Sequence, residues 1–168
     1  MKKSTLLLFA LLIATPALAQ DYTAGRISIS DTWIKEAPPS APTLGGYVTF
    51  ENAGSEDDRL IAIESDAVEK VELHTSVVSD GIARMALMQG GLELPAGETV
   101  ILGEAGTHAM FINPPSPYRD GDEIGATLVL EKAGRVDVVF TVERRRIDDA
   151  MSGHEGMSMD NGSAANGH

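Results

Sequence analysis

The sequence predicts an all-β fold, a sandwich or barrel in a single domain. Short runs of β-branched and aromatic residues recur along the chain, and Gly, Pro, Asn and Asp punctuate them. No segment carries a long apolar period of 3.6 residues, so we expect no substantial helix. Zero cysteines exclude a disulfide framework. The fold must therefore be held by its hydrophobic core.

The strands follow from these runs in order. Ile27 and Ile29 alternate with polar residues before Trp33, and residues 46–50 read Gly-Tyr-Val-Thr-Phe. The later apolar or alternating runs are 60–63, 71–77, 82–88, 99–102, 108–112, 124–130 and 136–142. Turn signals separate them at 52–54, 79–81, 95–97 and 133–134.

The N-terminus has the features of a secretory signal peptide. Lys2 and Lys3 precede a short apolar run, and Ala17-Leu18-Ala19 forms a cleavage site before Gln20. The run is too short for a membrane span, which takes about 20 residues. The predicted organisation is a signal peptide over 1–19, a folded domain over 20–146 and a tail over 147–168. The predicted location is the periplasm, with no stable membrane insertion.

The net charge of the chain restricts the classes of partner that it can bind. Residues 1–19 hold two lysines and no acidic residue, so their removal changes the formal net charge from −12 to −14. Such an acidic protein repels nucleic acid and anionic membrane surfaces. It favours cationic ligands or a partner with a basic patch, although acidity also serves solubility alone.

Two histidines and two methionines in the predicted domain form the candidate site. They are His74, Met85, His108 and Met110, with ten residues between the first two and a single alanine between the last two. Thioethers are soft ligands that select Cu(I) over zinc, magnesium or calcium. Taken singly, such a histidine is usually a surface residue and such a methionine core filling. Their combination predicts a Cu(I) site.

Strand geometry suggests how these four residues meet. The turn at 79–81 predicts a hairpin that places His74 nearly opposite Met85. His108 and Met110, two apart on a strand, should point to one face. Met88 lies three residues from Met85 and should face the core instead.

The predicted tail carries a second group of soft and nitrogen donors. Three of the seven methionines lie there, and the group comprises Met151, His154, Met157, Met159 and His168. A segment of Gly, Ser, Asn and Asp cannot bury enough surface to order itself, so core packing does not explain its methionines. The tail is predicted as an auxiliary metal site that can also accept Cu(II). Accidental composition is the alternative.

Over residues 26–143 the chain resembles the periplasmic copper chaperones called PCu(A)C. The shared features are the His-x10-Met and His-x-Met pattern, Asp31-Thr32-Trp33-Ile34, Gly45-Gly46-Tyr47 and the stretch 90–97. The resemblance implies a cupredoxin-like Greek-key fold that binds Cu(I) through the four residues above. It also implies copper delivery to the copper-bearing subunit of cytochrome c oxidase or to another periplasmic copper chaperone. Thr75-Ser76-Val77-Val78 departs from relatives that carry further methionines there.

The leading functional hypothesis is a metallochaperone, which is not an enzyme. A copper buffer or resistance protein that sequesters without delivery needs the same site and stays open. An adhesion module without metal is a further alternative. A blue-copper electron carrier is disfavoured because its centre uses a cysteine thiolate. No Gly-x-Ser-x-Gly or His-Glu-x-x-His motif supports hydrolysis.

Overall fold

Eleven β-strands build the part of the chain that the computed structural model describes, residues 21–79, 82–103 and 106–144. In chain order they are β1 Tyr22–Ala24, β2 Ile27–Lys35, β3 Thr43–Asn52, β4 Asp58–Glu64, β5 Lys70–Ser79, β6 Ile82–Leu87, β7 Leu92–Leu94, β8 Thr99–Leu102, β9 Thr107–Ile112, β10 Glu123–Leu130 and β11 Gly134–Glu143. No helix occurs in these ranges. The predicted all-β class is confirmed.

The strands form one curled sheet in the order β6-β5-β9-β3-β2-β11-β10-β4-β7. β1 pairs with β2. β3 pairs with β9 through its first residues and with β8 through its later residues. Every pairing is antiparallel except that of β11 with β2. Because β3 pairs with β9 through its first half and β8 through its second, it joins the edge with β5 and β6 to the rest of the sheet.

One face of the sheet carries the core. Phe50, Phe111 and Phe140 are fully buried, and the rings of Phe111 and Phe140 meet edge to face at 5.3 Å between centroids. Gly46 allows this approach, because a Cβ there would collide with the Phe111 ring. Met88 packs against the same core, as its spacing from Met85 predicted.

The sequence located most strands and missed two short ones. β1 and β7 have three residues each, too few for a periodic signal. β3 starts at Thr43 rather than at Gly46, because its first four residues, 43–46, pair with β9. The signal peptide over 1–19 and the tail over 147–168 lie outside the described residues.

Asp58 connects the start of β4 to the β10–β11 turn. Its carboxylate accepts hydrogen bonds from the backbone N–H groups of Arg59, Lys132 and Ala133, at 2.7 to 2.9 Å. Burial favours the neutral carboxyl, but these three donors outweigh it and lower the pKa of Asp58. The ionised side chain thus closes a turn more than 70 residues away in sequence.

We expect Asp58→Ala to destabilise the fold by roughly 2–3 kcal/mol, because it removes the acceptor of these backbone donors. The exposed Asp66→Ala serves as the control and should change stability by less than about 0.5 kcal/mol. Because the folded pKa of Asp58 is lowered, its contribution is present at neutral pH and is lost as pH falls through that folded pKa. Urea unfolding at neutral and acidic pH measures both effects. Equal stability of the two variants at neutral pH would contradict this role.

Candidate metal centre

The antiparallel pairing of β5 with β9 brings two histidines together. His74 lies directly opposite His108, and their ring centroids are 6.4 Å apart. Their strand neighbours Leu73 and Ala109 belong to the core, so the two imidazoles stand on the opposite face of the sheet. His108 is buried on that face, whereas the His74 side chain is 20% exposed to solvent.

Met110 lies on the same face as the histidines. It is two residues beyond His108 on β9 and is directly opposite Glu72, two residues before His74 on β5. It is therefore a diagonal neighbour of His74, a separation of about 7–8 Å that long side chains can bridge. The expected shared face of His108 and Met110 follows from this register.

Met85 occupies a different position from the one expected. It is opposite Ser76, and Leu87 takes the place opposite His74. Ser79 pairs with Ile82, so the hairpin centre lies one residue later than the sequence suggested and the partner shifts by two. Met85 still shares the face of His74. Its side chain is 64% exposed, on the edge strand β6.

The two methionines thus flank His74 on opposite diagonals. Strand rise and spacing put their Cα atoms ~16 Å apart. The structure brings His74, His108 and Met110 together and leaves Met85 on the β5–β6 hairpin. Met85 can join a shared ion only if this hairpin folds toward His74.

An aromatic pair closes the other side of the histidines. Trp33 and Tyr47 are paired across β2 and β3, with ring centroids 4.3 Å apart. Gly45 faces Met110 in register, and a Cβ at Gly45 would lie 2.8 Å from the Tyr47 hydroxyl. The Tyr47 ring therefore lies over Gly45 on the ligand face. Continuing the register by one residue places Tyr47 beside His108, and this neighbour accounts for the burial of His108.

Each histidine has one ring nitrogen in an internal contact. His74 Nε2 lies 2.9 Å from Glu72 Oε2, and Lys70 Nζ lies 2.6 Å from Glu72 Oε1. The hydrogen bond from Lys70, followed by that from His74, lowers the pKa of Glu72. His108 Nδ1 lies 3.2 Å from the Gly106 carbonyl oxygen. Sequence analysis missed Glu72, although its position two residues before His74 on a strand would have placed it on the ligand face.

On this face the register places the imidazoles of His74 and His108 and the thioether of Met110 side by side, next to the Glu72 carboxylate. Among the described residues, no three His, Asp or Glu side chains group in a way that could hold a metal. The thioethers of Met110 and Met85 are the soft donors of this face, and soft donors suit Cu(I).

Comparison with known proteins identifies the family. Residues 27–142 match the family described as LpqE-like lipoproteins. The chain belongs to this family. This family match, together with the solved structures described below, confirms the PCuAC relationship inferred from the histidine and methionine pattern. Protein Lxx21020 of Leifsonia xyli subsp. xyli, also named as a lipoprotein, is 31% identical over 117 residues, which cover 67% of this chain and 68% of that protein.

Several solved structures share the fold. The copper-bound PCuAC domain from PmoF2 has a TM-score of 0.64 at 24% identity and matches 75% of this chain and 99% of its own. CuI-DR1885 from Deinococcus radiodurans has a TM-score of 0.58 at 24% identity, over 76% of this chain and 83% of its own. Its apo form has a TM-score of 0.57 at 23% identity, over 86% and 97%. These neighbours confirm the predicted cupredoxin-like fold.

Two further predictions concern membrane insertion and the C-terminal tail. In the described ranges, no helix has the length and apolarity needed to cross a membrane. The auxiliary residues His154, Met157, Met159 and His168 lie outside the described residues.

Proposed function

We propose that this protein binds one Cu(I) ion as cargo through His74, His108, Met110 and Met85. The direct pairing of His74 with His108 on the face that carries Met110 is the observation that supports this assignment most strongly. The copper-bound domain from PmoF2 and CuI-DR1885 support the choice of metal.

The donor set suits transport of reduced copper. Imidazole and thioether donors are neutral when they bind, so a site built from them adds no negative charge to hold the harder Cu(II). Sulfur selects the d10 ion, and thioethers form no disulfides outside the cytoplasm. Such a site keeps Cu(I) from free solution without the thiolates that would retain it too firmly.

The site also has an open side for release. Tyr47, which packs against Trp33, lies beside His108, whereas Met85 and Leu87 on β6 are 64% and 52% exposed. A partner's ligands can approach along this edge strand and replace Met85 first. Stepwise ligand exchange of this kind is what a metallochaperone requires, and it needs no catalytic group.

We further propose a periplasmic location and delivery to the copper-bearing subunit of cytochrome c oxidase or to another periplasmic copper chaperone. The lipoprotein description of the family supports a location outside the cytoplasm. The tail residues His154, Met157, Met159 and His168 are proposed as an auxiliary site that also accepts Cu(II).

We expect Met110→Leu to weaken Cu(I) binding by at least about 100-fold, more than loss of a residue that merely supports a ligand. The exchange conserves volume and should cost less than about 1.5 kcal/mol of stability. His108→Ala should abolish tight binding as well. Met88→Leu, the same exchange on the core side, serves as the matched control. Chelator competition and thermal unfolding measure affinity and stability.

Unchanged affinity in Met110→Leu would contradict the site assignment. The same titrations on a chain ending at Arg146 test the tail: we expect loss of a weaker or Cu(II)-type site and retention of the first. Identical stoichiometry in both oxidation states would refute the tail proposal.

Deletion of the gene should distinguish delivery from buffering. A delivery protein predicts a several-fold loss of cytochrome c oxidase activity at low external copper, restored by added copper. The expected outcome is this loss, with complementation by the wild-type chain and not by His108→Ala. Sensitivity to high copper with normal oxidase activity would instead favour the sequestering alternative.

A further inference from the structure

Glu72 stands out among the residues of the ligand face. Its Oε2 lies 2.9 Å from His74 Nε2, and its Oε1 lies 2.6 Å from Lys70 Nζ. It is opposite Met110 on β9. Both the Glu72 and the His74 side chains are mostly shielded, with 24% and 20% of their surface exposed. This carboxylate is therefore held between a lysine and the central histidine of the proposed site.

The contact determines which nitrogen of His74 carries the proton. An ionised carboxylate only accepts hydrogen bonds, so a hydrogen bond between the two groups requires Nε2–H as the donor. A neutral imidazole has one N–H and one lone pair, which leaves the lone pair of His74 on Nδ1. The tautomer thus follows from the identity of the acceptor.

His108 has the opposite arrangement of its ring nitrogens. The Gly106 carbonyl oxygen, which accepts only, lies 3.2 Å from His108 Nδ1. In the neutral form of His108, this contact requires the proton on Nδ1 and leaves the lone pair on Nε2. The two paired histidines present different nitrogens to a metal.

We propose that Glu72 is a positioning residue that fixes the tautomer of His74, so that copper is bound by His74 Nδ1 and His108 Nε2. This inference rests on the proposed function, because it concerns the same Cu(I) site. Metal-binding histidines commonly donate their other ring N–H to a carboxylate or a carbonyl group, which orients the ring and raises its basicity. Glu72 and Gly106 provide these two acceptors here.

Glu72 acts through His74 rather than as a ligand itself. It forms no metal-holding group of three with His74 and His108 in the described part of the chain, and Lys70 occupies its second oxygen. Lys70 restrains the carboxylate, and the carboxylate restrains the imidazole. His74 is therefore ordered before copper binds, which reduces the conformational entropy lost on binding.

Nitrogen-15 NMR of the imidazoles in the apo protein and in the protein loaded with Cu(I) tests the proposal on the unaltered chain. The expected apo spectrum shows His74 protonated at Nε2 and His108 at Nδ1. Copper should then shift His74 Nδ1 and His108 Nε2 most strongly. Coordination through His74 Nε2 in the loaded protein would overturn the proposal.

Glu72→Ala tests the role of the carboxylate. We expect a 10–100-fold weaker Cu(I) affinity at unchanged stoichiometry, and a mixture of both His74 tautomers in the apo protein. Glu69→Ala is the matched control. It removes the same charge three residues away, from a side chain that bonds Asn113 and not His74, and its affinity should stay within about twofold of wild type.

Glu72→Gln supplies the conservative comparison, since its amide oxygen can still accept the Nε2–H bond. It should preserve the Nε2–H tautomer and lose less affinity than Glu72→Ala. Equal losses in Glu72→Ala and Glu69→Ala would overturn the positioning role and point to bulk charge. If the wild-type chain did not bind Cu(I) at all, the proposed function itself would be wrong. Failure of the proposed function and failure of the Glu72 proposal therefore give different results.

Discussion

The register of β5 against β9 is the constraint on which the site depends. It sets His74 directly opposite His108 and Glu72 opposite Met110. If β5 slipped by one residue, its whole set of side chains would turn to the other face of the sheet. Such a shift of β5 would take Leu73 out of the core and turn His74 into it, so the core holds the register. The hydrophobic core therefore determines where the candidate ligands lie.

The sheet uses its two faces for different purposes. Leu73, Ala109 and Phe111 point into the core, and the residues between them carry the donors. The donor face is itself uneven: His108 is buried beside Tyr47, whereas Met85 on β6 is exposed. A half in which the imidazoles are shielded thus adjoins a hairpin with an accessible thioether. This asymmetry suits an ion that must be held and then transferred.

Much of this arrangement was predictable from local sequence. The alternation around His108 and Met110 placed both on one strand face, and the spacing of Met88 from Met85 indicated the core. The hairpin between β5 and β6 was predicted from its turn residues. Its register was not, because a difference of one residue in the turn centre moves the partner of His74 from Met85 to Leu87.

Other features depend on contacts that sequence reading does not reveal. The pairing of His74 with His108 joins strands separated by more than 20 residues and requires the sheet order. The Trp33–Tyr47 contact joins two strands, and the missing side chain of Gly45 leaves room for the Tyr47 hydroxyl. The family resemblance supplied the expectation that these residues converge. The sheet topology supplies the physical reason for His74, His108 and Met110, while Met85 lies apart from them.

X-ray absorption spectroscopy of the protein loaded with one equivalent of Cu(I) tests the central claim most directly. We expect a copper coordination shell that contains both imidazole nitrogen and thioether sulfur. Met110→Leu and Met85→Leu should each remove one sulfur and leave the imidazole signal. A shell of nitrogen and oxygen alone, or a sulfur signal unaffected by either exchange, would contradict a Cu(I) site on the β5–β9 face.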